Sequence, residues 1–206
     1  MINALFSGVS DVFGSGFVIR DEFLKTTLDT AIWTIGSTGG TPSDPTIVSD
    51  GAANGIGAVR PLSVGISGTS FIYSPSVKIG TGDFAFSSRV RVTSGGDFDS
   101  GGILGNNSFE VSGGGSVLHI FTGVTNWYIK SSGVLTSLAV PWGSTYQQIN
   151  VHRLSGVVYV FIDGVKVFSA ANTQDFSSAA LRAECFSGPA YNGSMYNDTL
   201  ALWVGR

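Results

Sequence analysis

The run QQINVHRLSGVVYVFIDGVKVFSA, Gln147 to Ala170, is patterned in the manner of antiparallel strands. From Gln148 to Leu154 the apolar Ile149 and Val151 stand two apart, the spacing of residues on one face of a strand. From Val157 to Ile162 every residue is β-branched or aromatic, which predicts a strand buried on both faces. Ser155-Gly156 lies between these two runs, and Asp163-Gly164 leads into Val165, Val167 and Phe168. Glycine takes the positive φ of a two-residue hairpin turn without cost, and aspartate tolerates it better than most. The run therefore predicts three strands in an antiparallel meander.

The rest of the chain agrees. Of 206 residues, 43% are hydrophobic, only 12% are charged and 29 are glycine. That is the balance of many short strands joined by Gly and Ser turns, in one all-β domain of ordinary size. Strands are predicted at Thr46–Ser49, Val59–Ser67, Ser70–Tyr73, Asp83–Val92, Ile103–Leu104, Phe109–Val111, Val117–Phe121, Asn126–Lys130, Val134–Val140, Ala180–Phe186 and Thr199–Val204, with Val77–Ile79 as a candidate. More than ten strands at intervals of about eight to twelve residues indicate an antiparallel jelly-roll β-sandwich. Gly36–Pro45 and Ser187–Asn197 read as loops, and Phe23, Leu24, Leu28, Ile32 and Trp33 as core residues of the segment that opens the domain. In Asp83–Val92 the alternation leaves Arg89 and Arg91 facing water or a partner.

Residues 1–20 read as an N-terminal arm preceding a domain at 21–206. Leu5, Phe6, Val9, Val12 and Phe13 fall on one helical face before Gly14-Ser15-Gly16 ends the pattern, so the arm is a strap on its own domain or a docking segment. It lacks the basic start of a secretory signal. The chain has no apolar run near the roughly 20 residues of a membrane helix. A net charge of −3 and the absence of a basic stripe argue against nucleic-acid binding. So few charges predict a surface partly hidden by self-association or by other proteins. The single cysteine, Cys185, excludes an intrachain disulfide and reads as a small buried hydrophobe.

The meander, with Val151-His152-Arg153, Ser155-Gly156 and Val158 to Val165, resembles the laminin G-like and pentraxin-like members of the concanavalin A-like lectin/glucanase superfamily. Asp21–Thr34 (DEFLKTTLDTAIWT), Gly82–Val92 (GDFAFSSRVRV) and Asn197–Val204 (NDTLALWV) follow that family's order, so the resemblance spans about Asp21 to Arg206. It implies a concanavalin A-like sandwich and says little about activity.

Glucanases of that fold carry Glu-x-Asp-x-x-Glu on one strand, which puts two carboxylates on one face for acid and nucleophile roles. This chain lacks the motif. Its only glutamates are Glu22, Glu110 and Glu184, isolated from one another in sequence. A pair assembled from separate strands stays open, but the main ground for inferring hydrolysis is gone. His119 and His152 lie inside predicted strands and read as satisfied or solvent-facing side chains. Asp97 and Asp99, in the Gly-rich loop Ser94–Gly102, could offer oxygens to calcium, with an ordinary hydrated turn as the competing reading. Carbohydrate binding needs exposed aromatic plates, and the candidates are Trp127, Tyr128, Trp142, Tyr146, Tyr191 and Tyr196. The Asn-x-Ser/Thr triplets at Asn106, Asn192 and Asn197 are close to chance in a chain so rich in Ser and Thr.

The sequence thus leads first to a non-catalytic structural or adhesive module. By analogy of composition it is a phage or viral particle component, a capsid decoration or a tail or fibre part on a virion surface, and otherwise extracellular. Its partners would be other virion proteins, further copies of itself and a cell-surface glycan, with no cofactor unless calcium. A lectin module ranks second, and a glycan hydrolase or lyase with an unconventional site third.

Overall fold

A computed structural model describes residues 17–39, 43–48, 58–63, 68–94, 98–99, 102–103, 105–187 and 193–205. Its strands are β1 (Phe17–Asp21), β2 (Thr34–Gly39), β3 (Ser43–Val48), β4 (Ala58–Ser63), β5 (Gly68–Tyr73), β6 (Phe84–Ser94), β7 (Phe98–Asp99), β8 (Gly102–Ile103), β9 (Gly105–Gly113), β10 (Ser116–Thr122), β11 (Asn126–Ser131), β12 (Val134–Pro141), β13 (Gln147–Leu154), β14 (Val157–Ile162), β15 (Val165–Ala171), β16 (Ala180–Ser187) and β17 (Gly193–Val204). They form two antiparallel sheets packed as a sandwich. The first runs β15-β14-β13-β6-β17-β4-β3, with β1 also on β17, and the second runs β12-β11-β10-β9-β16-β5-β2. β7 and β8 make a separate small hairpin.

The predicted meander is the β13-β14-β15 end of the first sheet. Its turns have positive φ at both positions: 50° and 74° at Ser155-Gly156, 50° and 81° at Asp163-Gly164. Ser132-Gly133 and Gly114-Gly115 repeat the geometry between β11 and β12 and between β9 and β10. These are the turns whose twist matches paired strands, so short Gly-containing turns fix the register of four hairpins.

The core lies between the sheets. Phe84 stacks along β6 on Phe86, whose ring meets Phe109 of the second sheet edge-on at 5.9 Å, and Phe109 meets Trp127 at 6.4 Å. Cys185 is fully buried in the same core, as the alternation of β16 predicts. Such aromatic pairs each add roughly 1 kcal/mol beyond the area they bury. At the chain's opening segment the Asp21 carboxylate accepts from the Phe23 backbone N–H and the Trp33 indole N–H, both at 2.7 Å, which pins both rings into the core.

Several expectations are corrected. β14 is buried on one face only: Val158, Val160 and Ile162 point inward, while Val157, Tyr159 and Phe161 are half-buried. It lies second from the sheet edge, so its outer face has no layer to bury it fully. Leu24 is exposed, turned out by the sharp backbone at Phe23. Gly36–Pro45 is largely strand, because β2 pairs with β5 through backbone bonds that its Gly and Ser composition does not advertise. β17 begins at Gly193, not at Thr199, and absorbs bulges at 194–195 and 197–199. Phe17–Asp21 pairs with β17, so the sandwich takes up residues that the arm boundary at 20 left outside it. Val77–Ile79 is not a strand: Val77 makes an isolated bridge to Ala179, and Gly80, just past the range, makes another to Phe176. The arm residues Leu5, Phe6, Val9, Val12 and Phe13 lie outside the described residues.

Candidate functional site

The outer face of the second sheet gathers Glu110, Glu184, His119 and Arg182. Register alone lays two rows of side chains across it. One row runs Leu135, Lys130, His119, Glu110, Arg182, Tyr73, on β12, β11, β10, β9, β16 and β5 in turn. The next, two residues along each strand, runs Ser137, Tyr128, Phe121, Ser108, Glu184, Phe71. Glu110 and Glu184, 74 positions apart in a 206-residue chain, thus become diagonal neighbours on adjacent strands.

Each carboxyl has a different setting. Glu184 accepts from the Arg182 guanidinium at 2.6 Å and from the Ser108 hydroxyl at 3.3 Å. Glu110 faces the His119 imidazole, with Nε2 to Oε2 at 3.8 Å. Burial raises the Glu110 pKa above the ordinary carboxyl range, against a Ser112 hydrogen bond and the Arg182 charge that lower it. Glu184 is also raised, chiefly by burial and further by Glu110, with Arg182, His119 and Ser108 opposing. Burial pushes His119 down to about 4, with Glu184 opposing and Lys130 and Arg182 adding to the fall. At neutral pH the imidazole is uncharged, so its approach to Glu110 is not an ion pair. Two carboxyls made less acidic by burial, Glu184 further by the charge of Glu110, are the arrangement from which acid and base roles are built.

Aromatic rings flank the pair on both sides. Phe121 packs on His119 at 4.8 Å and stacks on Tyr128 at 5.8 Å. Across the sheet the Arg182 guanidinium lies 4.9 Å from the centre of Phe71, which adjoins Tyr73 at 5.9 Å. Two glycines make room: a Cβ at Gly36 would meet the Phe71 ring at 2.9 Å, and one at Gly123 would meet the Tyr128 ring at 2.4 Å.

Of the aromatic plates expected from sequence, Tyr128 stands on this face. Trp127 does not: it is fully buried with its indole N–H on Gln147 Oε1, because the strand alternation that turns Tyr128 outward turns Trp127 into the core. Trp142 is half-buried against the core and donates to the Gly123 carbonyl, bracing the β10–β11 turn. Tyr146 and Tyr196 lie on the first sheet's outer side with guanidinium groups over their rings, Arg91 at 4.4 Å from Tyr196 and Arg89 at 5.6 Å from Tyr146. Tyr191 and Asp97 fall outside the described residues, and Asp99 is described only as backbone in β7. Among the described residues, no three His, Cys, Asp or Glu side chains gather as a metal site would require. Asn197 is buried with its Oδ1 accepting from Ser88, which closes it to glycosylation. Sequence reasoning left a pair of Glu110 and Glu184 open without choosing it, read His119 as a satisfied or solvent-facing side chain, and passed over Arg182, Phe71 and Tyr73. The legible signal was polar or aromatic residues alternating with apolar ones in FEV, LHI, LRAEC and FIY.

No protein-family profile matches the chain, and no curated protein does. Solved structures match it at low identity over nearly its whole length. Cellulose induced protein Cip1 superposes with a TM-score of 0.65 at 13% identity, covering 91% of this chain and 99% of that one. The laminarinase catalytic domain of Thermotoga maritima gives 0.63 at 12%, covering 93% and 98%. A Bacteroides ovatus mixed linkage glucan GH16 protein, in complex with a G4G4G3G product, gives 0.62 at 13%, covering 90% and 99%. The fold is therefore a concanavalin A-like jelly roll. The expectation of a non-catalytic virion component is overturned, since the structures of this shape include catalytic domains of glucanases, and none of these likenesses supports a phage origin, virion partners or self-association. That expectation rested on a charge-poor surface, the arm, an analogy of composition and a missing local motif. Pairing of β9 with β16 brings two carboxyls together from separate strands.

Proposed function

We propose that the chain is a glycan-processing domain that hydrolyses glycosidic bonds on the outer face of its second sheet. The observation that carries this reading is the meeting of Glu110 and Glu184 between aromatic flanks. Glu110, raised in pKa by burial and set against an uncharged imidazole, is the member better suited to carry the proton and give it to the departing glycosidic oxygen. Glu184, bonded to Arg182 and Ser108, is the member better held in its ionised form, and acts at the anomeric carbon or on the water that attacks it. Tyr128 on one side, backed by buried Phe121, and Phe71 and Tyr73 on the other, offer apolar faces to sugar rings on either side of the bond to be broken. The fold's likeness to glucan-acting catalytic domains supports the substrate class.

The test is release of reducing ends from a panel of polysaccharides. Glu110→Gln and Glu184→Gln, close to isosteric, should each lower turnover by about 100-fold or more while leaving glycan binding measurable. A wild type that binds glycans and turns none over would make this face a recognition surface instead, a reading favoured by the tight Arg182–Glu184 bond.

A further inference from the structure

His119 Nε2 is a buried polar atom without a hydrogen-bond partner, on a side chain 11% exposed. Buried polar groups are nearly always paired, so an orphan aimed at a reactive carboxyl calls for an explanation. Its nearest carboxylate oxygen is Glu110 Oε2, at 3.8 Å, and the ring is held in that direction by Phe121 packed at 4.8 Å. A shift of roughly 1 Å would turn this gap into a hydrogen bond.

Resting on the glycosidase reading above, we infer that His119 is a positioning residue for Glu110: its neutral Nε2–H donates to the Glu110 carboxylate as that group loses its proton. While Glu110 is protonated the contact is long and weak. Once the proton passes to the leaving oxygen, the new carboxylate shortens the contact to a charge-assisted hydrogen bond, so the interaction strengthens along the reaction. No proton leaves the imidazole, and the transferred proton comes from Glu110 alone. The other groups facing Glu110 are the diagonal Glu184 on β16, whose pKa the Glu110 charge raises, and three more. Ser112 on β9 bonds it, Arg182 on β16 is engaged with Glu184, and Lys130 on β11 lies beyond His119 in the same row.

The experiment follows the Glu110 carboxyl by carbon NMR across pH in the wild type, His119→Gln and His119→Phe, with kcat and KM measured on the same proteins. His119→Phe keeps the aromatic packing on Phe121 and removes the donor. His119→Gln keeps a neutral donor and is the second variant should the first not fold. The expected result is a Glu110 midpoint raised in His119→Phe and restored at least in part by His119→Gln, with kcat lower by roughly 10- to 100-fold in His119→Phe and KM nearly unchanged. Equal Glu110 midpoints in wild type and His119→Phe would overturn the inference whatever happens to turnover. So would a midpoint in His119→Gln that departs from wild type as far as that of His119→Phe. A wild type inactive on every glycan removes the glycosidase reading instead, and the titration still decides whether His119 serves Glu110.

Discussion

His119 shows how one buried residue couples stability to pH. In the unfolded chain the imidazole titrates at its ordinary 6.5, and in the folded chain at about 4. Between those values the unfolded state binds the extra proton, so folding free energy is lost as pH falls from 6.5 through 4 and is unaffected above 6.5. The full effect is about 3 kcal/mol. Glu110 and Glu184 act in the opposite sense. Their folded pKa values lie above the ordinary 4.5, so the unfolded chain sheds these protons first, and stability declines as pH rises from 4.5 through the folded values. The two trends offset each other in the wild type. Urea unfolding at pH 7 and pH 4 should show the wild type losing up to about 3 kcal/mol more on acidification than His119→Phe. Equal losses would mean that the imidazole is charged, or exposed, in the folded protein.

Glycines in strand ends and turns have separate reasons to be glycine. At Gly113, the last residue of β9, a Cβ would lie 1.5 Å from the Ser178 carbonyl oxygen and 2.4 Å from its carbon. Backbone must move to admit it, so Gly113→Ala should cost about 3 kcal/mol or more. At Gly164 nothing lies within 4 Å of the added atom, and only a φ of +81° opposes substitution. Gly164→Ala should therefore cost only about 1–2 kcal/mol, the strain of a left-handed alanine. Denaturant midpoints of the two variants separate the causes, and similar losses at both sites would contradict this account. The turns were readable in the sequence because Ser-Gly, Asp-Gly and Gly-Gly state their own backbone preference. β2 and the first half of β17 were not, since Gly, Ser and Asn become strand only where a neighbour offers a ladder.

The two sheets are tied at one end by residues 172–179, which cross from β15 to β16. Gln174 is the tie. Its Oε1 accepts from the Ser132 N–H at 3.0 Å in the second sheet's β11–β12 turn, and its backbone carbonyl accepts from buried Arg153 of the first sheet at 2.7 Å. Arg153 lies over the rings of Phe84 and Phe176, each 5.6 Å away, and Asn172 bonds Ser131 beside it. Gln174→Ala leaves the Ser132 N–H without its acceptor and removes one of the two acceptors of the Asn172 amide, which keeps Ser131, and should lower global stability by about 1 kcal/mol with the denaturant slope unchanged. A changed slope would show that the sheets had come apart in steps.

The sequence by itself determined the all-β class, the hairpin turns, the inward alternation of Phe84, Phe86 and Cys185, and the likeness of fold. These are local properties, in which each residue's preference and its period of two act within a few positions. The carboxylate pair was settled by tertiary structure alone. Glu110 and Glu184 each alternate outward from their own strand, and nothing in either strand says that the two will be neighbours. That follows from the order of strands in the second sheet and from the β9–β16 register, where a slip of one residue would bury both carboxyls in the core. Pairing of strands distant in sequence also explains why the missing local motif misled the functional expectation. Two carboxylates need a shared face, and a sheet can supply that face from two strands as well as from one.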